Sequence, residues 1–234
     1  MYTCQDDGMS AQGETRRAPL DRARVLAAAV AAADRSGLDA LSMRSLAAEL
    51  GVVPMALYKH VADKDDLVGG MVDTVIAGYD PADAVGGPAE VRARIRSARA
   101  GLLAHPWLRT AIESRTRRTP AVLAHMDAVA GAFLRGGYSA DLTHHAMHAL
   151  GHRIWGFSPE AFEEPPAEPP SPAEREAMLR TMAERFPHIT AIAMDTAART
   201  PSGTCEPEGE FDFTLDLLLD AFERLHAAGW TSSA

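Results

Sequence analysis

The residues best suited to chemistry are a group of basic and hydrogen-bonding side chains between positions 44 and 64. Arg44, Lys59 and Lys64 are cationic, and Tyr58 and His60 flank Lys59 with groups that can donate hydrogen bonds. Side chains of these types bind phosphate oxygens, and a lysine can also donate to the major-groove edge of guanine. The group therefore indicates nucleic-acid binding if the surrounding elements hold it on a surface.

The spacing of apolar residues around this group predicts a helix-turn-helix. Two sets of residues follow helical spacing, Leu46, Ala47 and Leu50 in the first and Leu57 and Val61 in the second. Between them lies Gly51, the residue type that turns most easily where the chain needs positive φ. A helix-turn-helix places its second helix in the major groove of DNA.

The same segment resembles a known family. LSMRSLAAELGV followed by ALYKHVADKDDL is similar to the signature of the TetR family of bacterial transcriptional regulators. The resemblance is strongest over residues 19–80. Further along, HPWLRTAIESRTRRTP and MHALGHRIWGF resemble the regulatory domain of the tetracycline-repressor branch. The resemblance implies a three-helix DNA-binding domain followed by a larger helical domain that binds a ligand and forms a homodimer.

The resemblance also implies roles for individual residues of the DNA-binding segment. Base contacts are expected from Pro54, Met55, Ala56 and Lys59 on the recognition helix, where Lys59 alone can donate to guanine. Phosphate contacts are expected from Ser42, Arg44, Tyr58, His60 and Lys64, and Met43 is expected on the same surface. In the alternative interpretation, Tyr58 and His60 pack inside and the lysines form a solvated face. Val53 occupies the usual place of a capping Ser, Thr or Asp, which weakens the helix start by about 1 kcal/mol.

A second chemical pattern is a stripe of histidines. His144, His148 and His152 recur every four residues and share one helix face, with His145 beside them. Two histidines at this spacing can bind a metal, so a metal-dependent enzyme or metal sensor is the alternative function. The sequence lacks a motif such as H-E-x-x-H, and polar residues lining a pocket or dimer seam are the favoured interpretation. No cofactor or bound metal is expected.

Alignment on the segment ALGHRIWG places an effector pocket in the second domain. Glu113 falls where the tetracycline repressor has the histidine that coordinates the drug-bound magnesium, and Arg94 falls where an amide would bind the drug. A ligand other than tetracycline is therefore expected. The candidate pocket residues are Arg94, Trp107, Glu113, Met126, Val129, Met147, His148, His152 and Trp155. Met126, Val129 and Met147 are equally consistent with ordinary core packing.

Composition sets limits on the function. The 234-residue chain has a net charge of −9, which argues against a protein that coats nucleic acid nonspecifically. Residues 16–66 carry eight Lys/Arg and seven Asp/Glu, so the acidity lies in the rest of the chain. The two cysteines imply neither a disulfide framework nor a zinc site. No apolar run approaches the length of a membrane helix, and a cytoplasmic location is expected.

Turn signals divide the chain into an all-α arrangement. We expect a disordered extension at residues 1–18, a DNA-binding domain at 19–66 and a regulatory domain at 67–234, with a hinge at residues 80–88. The expected helices of the regulatory domain cover residues 89–104, 107–114, 120–135, 140–157, 173–196 (broken near Pro187) and 211–228.

The last of these helices predicts dimerisation. Phe211, Leu215, Leu218, Leu219, Phe222 and Leu225 follow helical spacing, and Leu217 and Ala221 widen the apolar stripe. Together with the 140–157 helix it resembles the four-helix dimer bundle of the family. Burial within one monomer is the competing interpretation. The favoured function is a homodimeric repressor that binds a palindromic operator and is released by a small-molecule effector, and a nucleoid-type DNA binder is less consistent with the acidity.

Overall fold

The computed structural model describes residues 19–79, 86–115, 118–156, 171–199 and 207–232. Within these ranges every regular element is a helix, which confirms the all-α fold. The chain divides into two compact units, one ending at Thr74 and the other beginning at Val75. Both this division and the boundary expected after residue 66 fall within the fourth helix. The expected N-terminal extension and residues 80–85 of the expected hinge lie outside the described ranges.

The first unit contains α1 (Arg22–Ser36), α2 (Met43–Leu50), α3 (Pro54–Leu57) and most of α4 (Lys64–Ala77). Its helix ends follow from local sequence. The Asp21 side chain accepts a hydrogen bond from the backbone of Arg24, and Ser42 forms a reciprocal capping box with Ser45. Gly51 ends α2 in the left-handed region, at φ 69°. The turn expected at Gly51 is therefore confirmed.

Apolar side chains from all four helices form the core of this unit. Of the stripes predicted from the spacing, Leu46, Ala47, Leu57 and Val61 are buried, and Leu50 is half-buried. Val25, Leu26, Ala29, Leu67 and Met71 are buried with them. The short helices α2 and α3 each bury at least one of these residues. Packing of these side chains, and not helix propensity, therefore stabilises the two helices and fixes the position of their outer faces.

The second unit contains seven further helices. They are α5 (Gly87–Ala104), α6 (Trp107–Glu113), α7 (Pro120–Arg135), α8 (Ala140–Gly156), α9 (Pro172–Arg185), α10 (Pro187–Arg199) and α11 (Pro207–Ala227). The break predicted near Pro187 is confirmed, because α9 and α10 meet there. No helix among the described residues combines the length and apolar character needed to cross a membrane.

Two helix boundaries differ from the prediction by three residues or more. The stretch from 197 to 210 was expected to be a loop, but α10 continues to Arg199 and α11 already begins at Pro207. Proline suits the first turn of a helix, and Glu208 and Glu210 place negative charge at the positive end of its dipole. These local signals extend α11 beyond its apolar stripe.

The core of the second unit lies between α5, α7, α8 and α11. It consists of Val91, Ile95, Val129, Ala132, Phe133, Tyr138, Leu142, Ala146, Leu150, Phe211, Leu215, Leu219 and Phe222. Leu218 and Leu225 pack against this cluster from its edge. Arg96 on α5 forms a bidentate ion pair with Asp212 on α11, which ties the two helices together at the surface.

A buried carboxylate joins the start of α5 to the end of α7. Glu90 is 2% exposed. It accepts hydrogen bonds from the backbone of Gly86 at 2.7 Å, from Arg94 at 2.8 Å and from Arg135 at 2.7 and 2.9 Å. The Arg135 hydrogen bonds, with the Gly86 and Arg94 bonds adding to them, lower the pKa of Glu90 to about 2.

We expect Glu90→Gln to lower the free energy of unfolding by about 1.5–3 kcal/mol, since charged hydrogen bonds are lost inside the fold. Because the folded pKa of Glu90 lies below its ordinary value of 4.5, its contribution is present above pH 4.5 and disappears as the pH falls towards 2. Chemical denaturation at several pH values should therefore show a difference between the wild type and the variant that shrinks on acidification. Glu113→Gln is the matched control, because Glu113 is exposed and forms an ion pair with Arg109 one turn earlier on its own helix. Equal losses for both variants would contradict this role of Glu90.

Candidate nucleic-acid interface and cavity

The first unit presents the predicted DNA-binding residues around α2, α3 and the start of α4. Met55 is 71% and Tyr58 47% exposed. Ser42, Arg44, Pro54, Lys59 and Lys64 are also exposed, whereas Met43, Ala56 and His60 are half-buried. Between these positions Leu46, Leu57 and Val61 point into the core. The unit thus carries a polar and cationic outer face on a fixed apolar base.

The recognition helix is shorter than its sequence suggests. It ends at Leu57, so Tyr58, Lys59 and His60 lie in the turn that follows and not on the helix itself. Two backbone hydrogen bonds that each span three residues, from Ala56 N–H to Val53 O and from His60 N–H to Leu57 O, form tight turns here. The Val53 side chain does not cap the helix. Lys59 therefore lies in the turn after α3, beyond the recognition helix on which it was expected.

An ion-pair network that sequence reasoning missed fixes this turn. Arg22 on α1 donates to the backbone carbonyl of His60 at 2.7 Å and forms two hydrogen bonds with Asp66 on α4, at 2.7 and 3.0 Å. Asp66 also accepts from the backbone of Ala62 at 2.8 Å. The 58–63 segment is thereby held to α1 at His60 and to α4 at Ala62. Because Arg22 and Asp66 are far apart in sequence, no local pattern indicates their pairing.

A cavity of about 280 Å³ lies inside the second unit. Most of its wall is apolar and comes from Ile76, Ile95, Ala98, Ile112, Val122, Met126, Val129, Met147 and Leu150. Polar side chains are contributed by Tyr79, Arg115, Arg118 and His125. A mostly apolar cavity with a few polar groups is the usual form of a small-molecule site, and this volume lies at the small end of the range.

The predicted ligand residues are distributed unevenly with respect to this cavity. Met126, Val129 and Met147 line it. Arg94 instead binds Glu90, Trp107 is buried beside His105, and Glu113 faces outward in its pair with Arg109. Arg94 and Glu113 therefore form ion pairs with other residues and not with each other. His148 is exposed, and the side chains of His152 and Trp155 lie outside the described residues.

Tyr79 closes one side of the cavity through close contact with α5. A Cβ atom at position 101 would lie 2.2 Å from Cε1 of Tyr79, so only glycine fits beneath this ring. The ring also meets His125 edge to face, with centroids 5.4 Å apart. Burial raises the pKa of Tyr79 to about 12, and burial followed by the charge of Arg94 lowers the pKa of His125. At neutral pH both groups are therefore uncharged.

His144, His145 and His148 form an exposed aromatic face on α8. The His144 ring contacts His145 and His148, with centroids 5.2 and 4.6 Å apart. His144 and His148 border a groove between α7 and α8, not the cavity. Within the described part of the chain, no three histidine, cysteine or acidic side chains are grouped as a metal site, so the metal-based alternative gains no support.

Comparison with protein families gives two matches that together cover most of the chain. Residues 25–71 match the model of bacterial regulatory proteins of the tetR family, and residues 88–225 match the tetracyclin repressor-like C-terminal domain. The first match contains α2, α3 and the recognition surface. The second contains every residue of the cavity from Ile95 onward.

Individual relatives agree with these matches. The HTH-type transcriptional repressor DrrR1 of Streptomyces coeruleorubidus is 40% identical over 109 residues, which cover 45% of this chain and 40% of that protein. The matched region spans about half the length, or less, of the curated relatives. The structure of a possible TetR family transcriptional regulator from Streptomyces coelicolor A3(2) is similar at a TM-score of 0.64 and 29% identity, covering 88% of this chain and all of that one. ActR from Streptomyces coelicolor, solved in complex with actinorhodin, shares the fold at a TM-score of 0.64 and 24% identity, covering 88% and 98%.

Proposed function

The chain belongs to the TetR family of bacterial regulatory proteins, and we propose that it is a ligand-responsive transcriptional repressor. In this proposal a homodimer binds a palindromic operator through the first unit and releases it when a small molecule occupies the cavity of the second. The observation that carries it is the exposed set of Met55, Tyr58, Lys59 and Lys64 fixed over the buried Leu46 and Leu57. A DNA-binding regulator works in the bacterial cytoplasm, and no catalytic role is proposed.

DNA recognition divides between the two kinds of side chain on this surface. Arg44 and Lys64 bind phosphates, aided by Ser42, Tyr58 and His60, and Met55 and Ala56 contact thymine methyl groups. Lys59 donates to guanine. Its position after α3 gives the long side chain freedom to reach a base at the edge of the half-site. The Arg22–Asp66 network holds the backbone of this turn and so limits the entropy lost on binding.

We expect Arg44→Ala and Lys64→Ala to weaken binding to operator and random DNA to a similar degree. Each removes one phosphate contact per subunit, so the slope of log K against log salt should flatten by about one unit per contact and about two per dimer. Fluorescence anisotropy over a series of salt concentrations measures this slope. Arg109→Ala in the second unit is the control for the loss of one positive charge. A slope equal to that of the wild type would remove the residue from the phosphate contacts.

Effector control is proposed to act through α4. This helix begins in the first unit with Lys64 and ends in the second, where Ile76 and the following Tyr79 line the cavity. A ligand that favours one position of these cavity residues also favours one position of the C-terminal end of α4. The operator affinity can then change by no more than the difference in ligand affinity between the two states.

A further inference from the structure

The charged side chains that line the cavity are all positive. Arg115 and Arg118 lie in the connection between α6 and α7, and both line the cavity. None of its described lining residues is acidic. The nearby acids Glu90 and Glu113 are engaged elsewhere, with Arg94 and Arg135 and with Arg109. Since arginine stays cationic at any physiological pH, the arginine side of the cavity carries a positive potential.

A neutral donor complements this charge. The Tyr79 hydroxyl is buried, and no donor or acceptor among the described residues reaches it. A buried hydroxyl without a hydrogen bond costs about 1–3 kcal/mol, and a ligand oxygen would remove that cost. The phenol keeps its proton at neutral pH because burial raises its pKa to about 12, so it can donate to an anionic oxygen.

The apolar side chains of the cavity determine which shape of ligand fits. Ile95, Val129, Met147 and Leu150 come from three helices and offer only apolar contact. Methionine side chains adapt to flat or irregular surfaces and make favourable contacts with aromatic rings. A volume of about 280 Å³ suits one fused ring system better than a large polycyclic molecule.

We infer that the cavity binds a small aromatic carboxylate, with its ring against Val129 and Met147 and its carboxylate bound by Arg118 and Arg115 and by the Tyr79 hydroxyl. This inference rests on the proposed function, because it names the chemical class of the effector. Charge-assisted hydrogen bonds of this kind select an anion over an isosteric neutral group, since the amide is uncharged and presents an NH2 donor where the carboxylate has its second acceptor oxygen.

The test compares two probes of equal shape, 2-naphthoate and 2-naphthamide, by isothermal titration of the full-length protein. Wild type is expected to prefer the carboxylate by about tenfold or more. Arg118→Gln should reduce this preference to within about threefold while leaving the affinity for the amide unchanged, and Arg118→Lys should retain part of it. Tyr79→Phe should weaken naphthoate binding. Arg109→Gln is the control, because this α6 arginine pairs with Glu113 on the surface.

The inference is overturned if wild type binds neither probe, if it binds the two equally, or if Arg118→Gln keeps the full preference. DNA binding of the same preparations separates this outcome from a failure of the proposed function. Normal operator binding together with no naphthoate preference would reject the ligand class alone. Naphthoate preference without any sequence-specific DNA binding would reject the repressor and leave the ligand site standing.

Discussion

Replacing Leu57 by alanine is expected to abolish operator binding by unfolding the DNA-binding unit. Leu57 is completely buried and is the side chain by which the four-residue α3 is anchored. Leucine-to-alanine changes in a core cost about 2–5 kcal/mol, a large fraction of the stability of a small domain. Hydrogen exchange should show faster exchange across residues 22–74 and little change in α5, α7, α8 and α11.

Met55→Ala is the matched control for this prediction. Met55 lies on the same helix but is 71% exposed, so its removal should leave hydrogen exchange in the first unit unchanged. Any loss of operator affinity in this variant then reports a DNA contact. Faster exchange for Met55→Ala, or unchanged exchange for Leu57→Ala, would mean that the inner and outer faces of α3 have been assigned wrongly.

Leu217→Asp is expected to split the homodimer and, with it, to lower operator affinity. Phe213 and Leu217 lie one turn apart on α11 and are 62% and 52% exposed within the monomer, which leaves them for the partner in the proposed bundle. A charge at the centre of such an interface costs roughly 2–4 kcal/mol per copy. Since each half-site alone provides little specificity, a monomer should bind the operator poorly.

The matched control is Leu103→Asp, because Leu103 on α5 is similarly exposed, at 57%. Analytical ultracentrifugation should find this control dimeric and Leu217→Asp monomeric, with circular dichroism showing both folded. Leu218 is less suitable for this purpose, since it packs against the core cluster of its own chain. A dimeric Leu217→Asp variant with normal operator affinity would place the interface elsewhere.

Local signals made much of the fold predictable. Thr119, Pro120 and Gly136 delimit α7 at the bounds expected from the sequence, and Gly51 ends α2 at the expected turn. Each of these signals acts within a few residues, through a cap or a permitted φ. Helical periodicity also predicted that Leu46 and Leu57 point inward, and both are buried.

These local signals do not predict contacts between residues that are distant in sequence. The pairs Arg22–Asp66 and Glu90–Arg135 join residues 44 and 45 positions apart, and nothing in the intervening sequence indicates them. The cavity shows the same limit. Alignment to one family branch selected Arg94 and Glu113, yet the rotation of α5 and α6 directs these side chains to ion pairs. Arg115, Arg118, His125 and Tyr79 line the cavity instead, although the arginines belong to the same RTRR segment that carried the resemblance.

Selection of binding sites from random double-stranded DNA tests the central claim most directly. The wild type is expected to enrich a two-fold symmetric sequence whose half-sites are centred about 34–36 Å apart, or roughly one helical turn. In a parallel selection Lys59→Ala should return the same sequence with the preference lost at one symmetric pair of positions. Enrichment of no sequence by the wild type, or of a sequence without two-fold symmetry, would contradict the account.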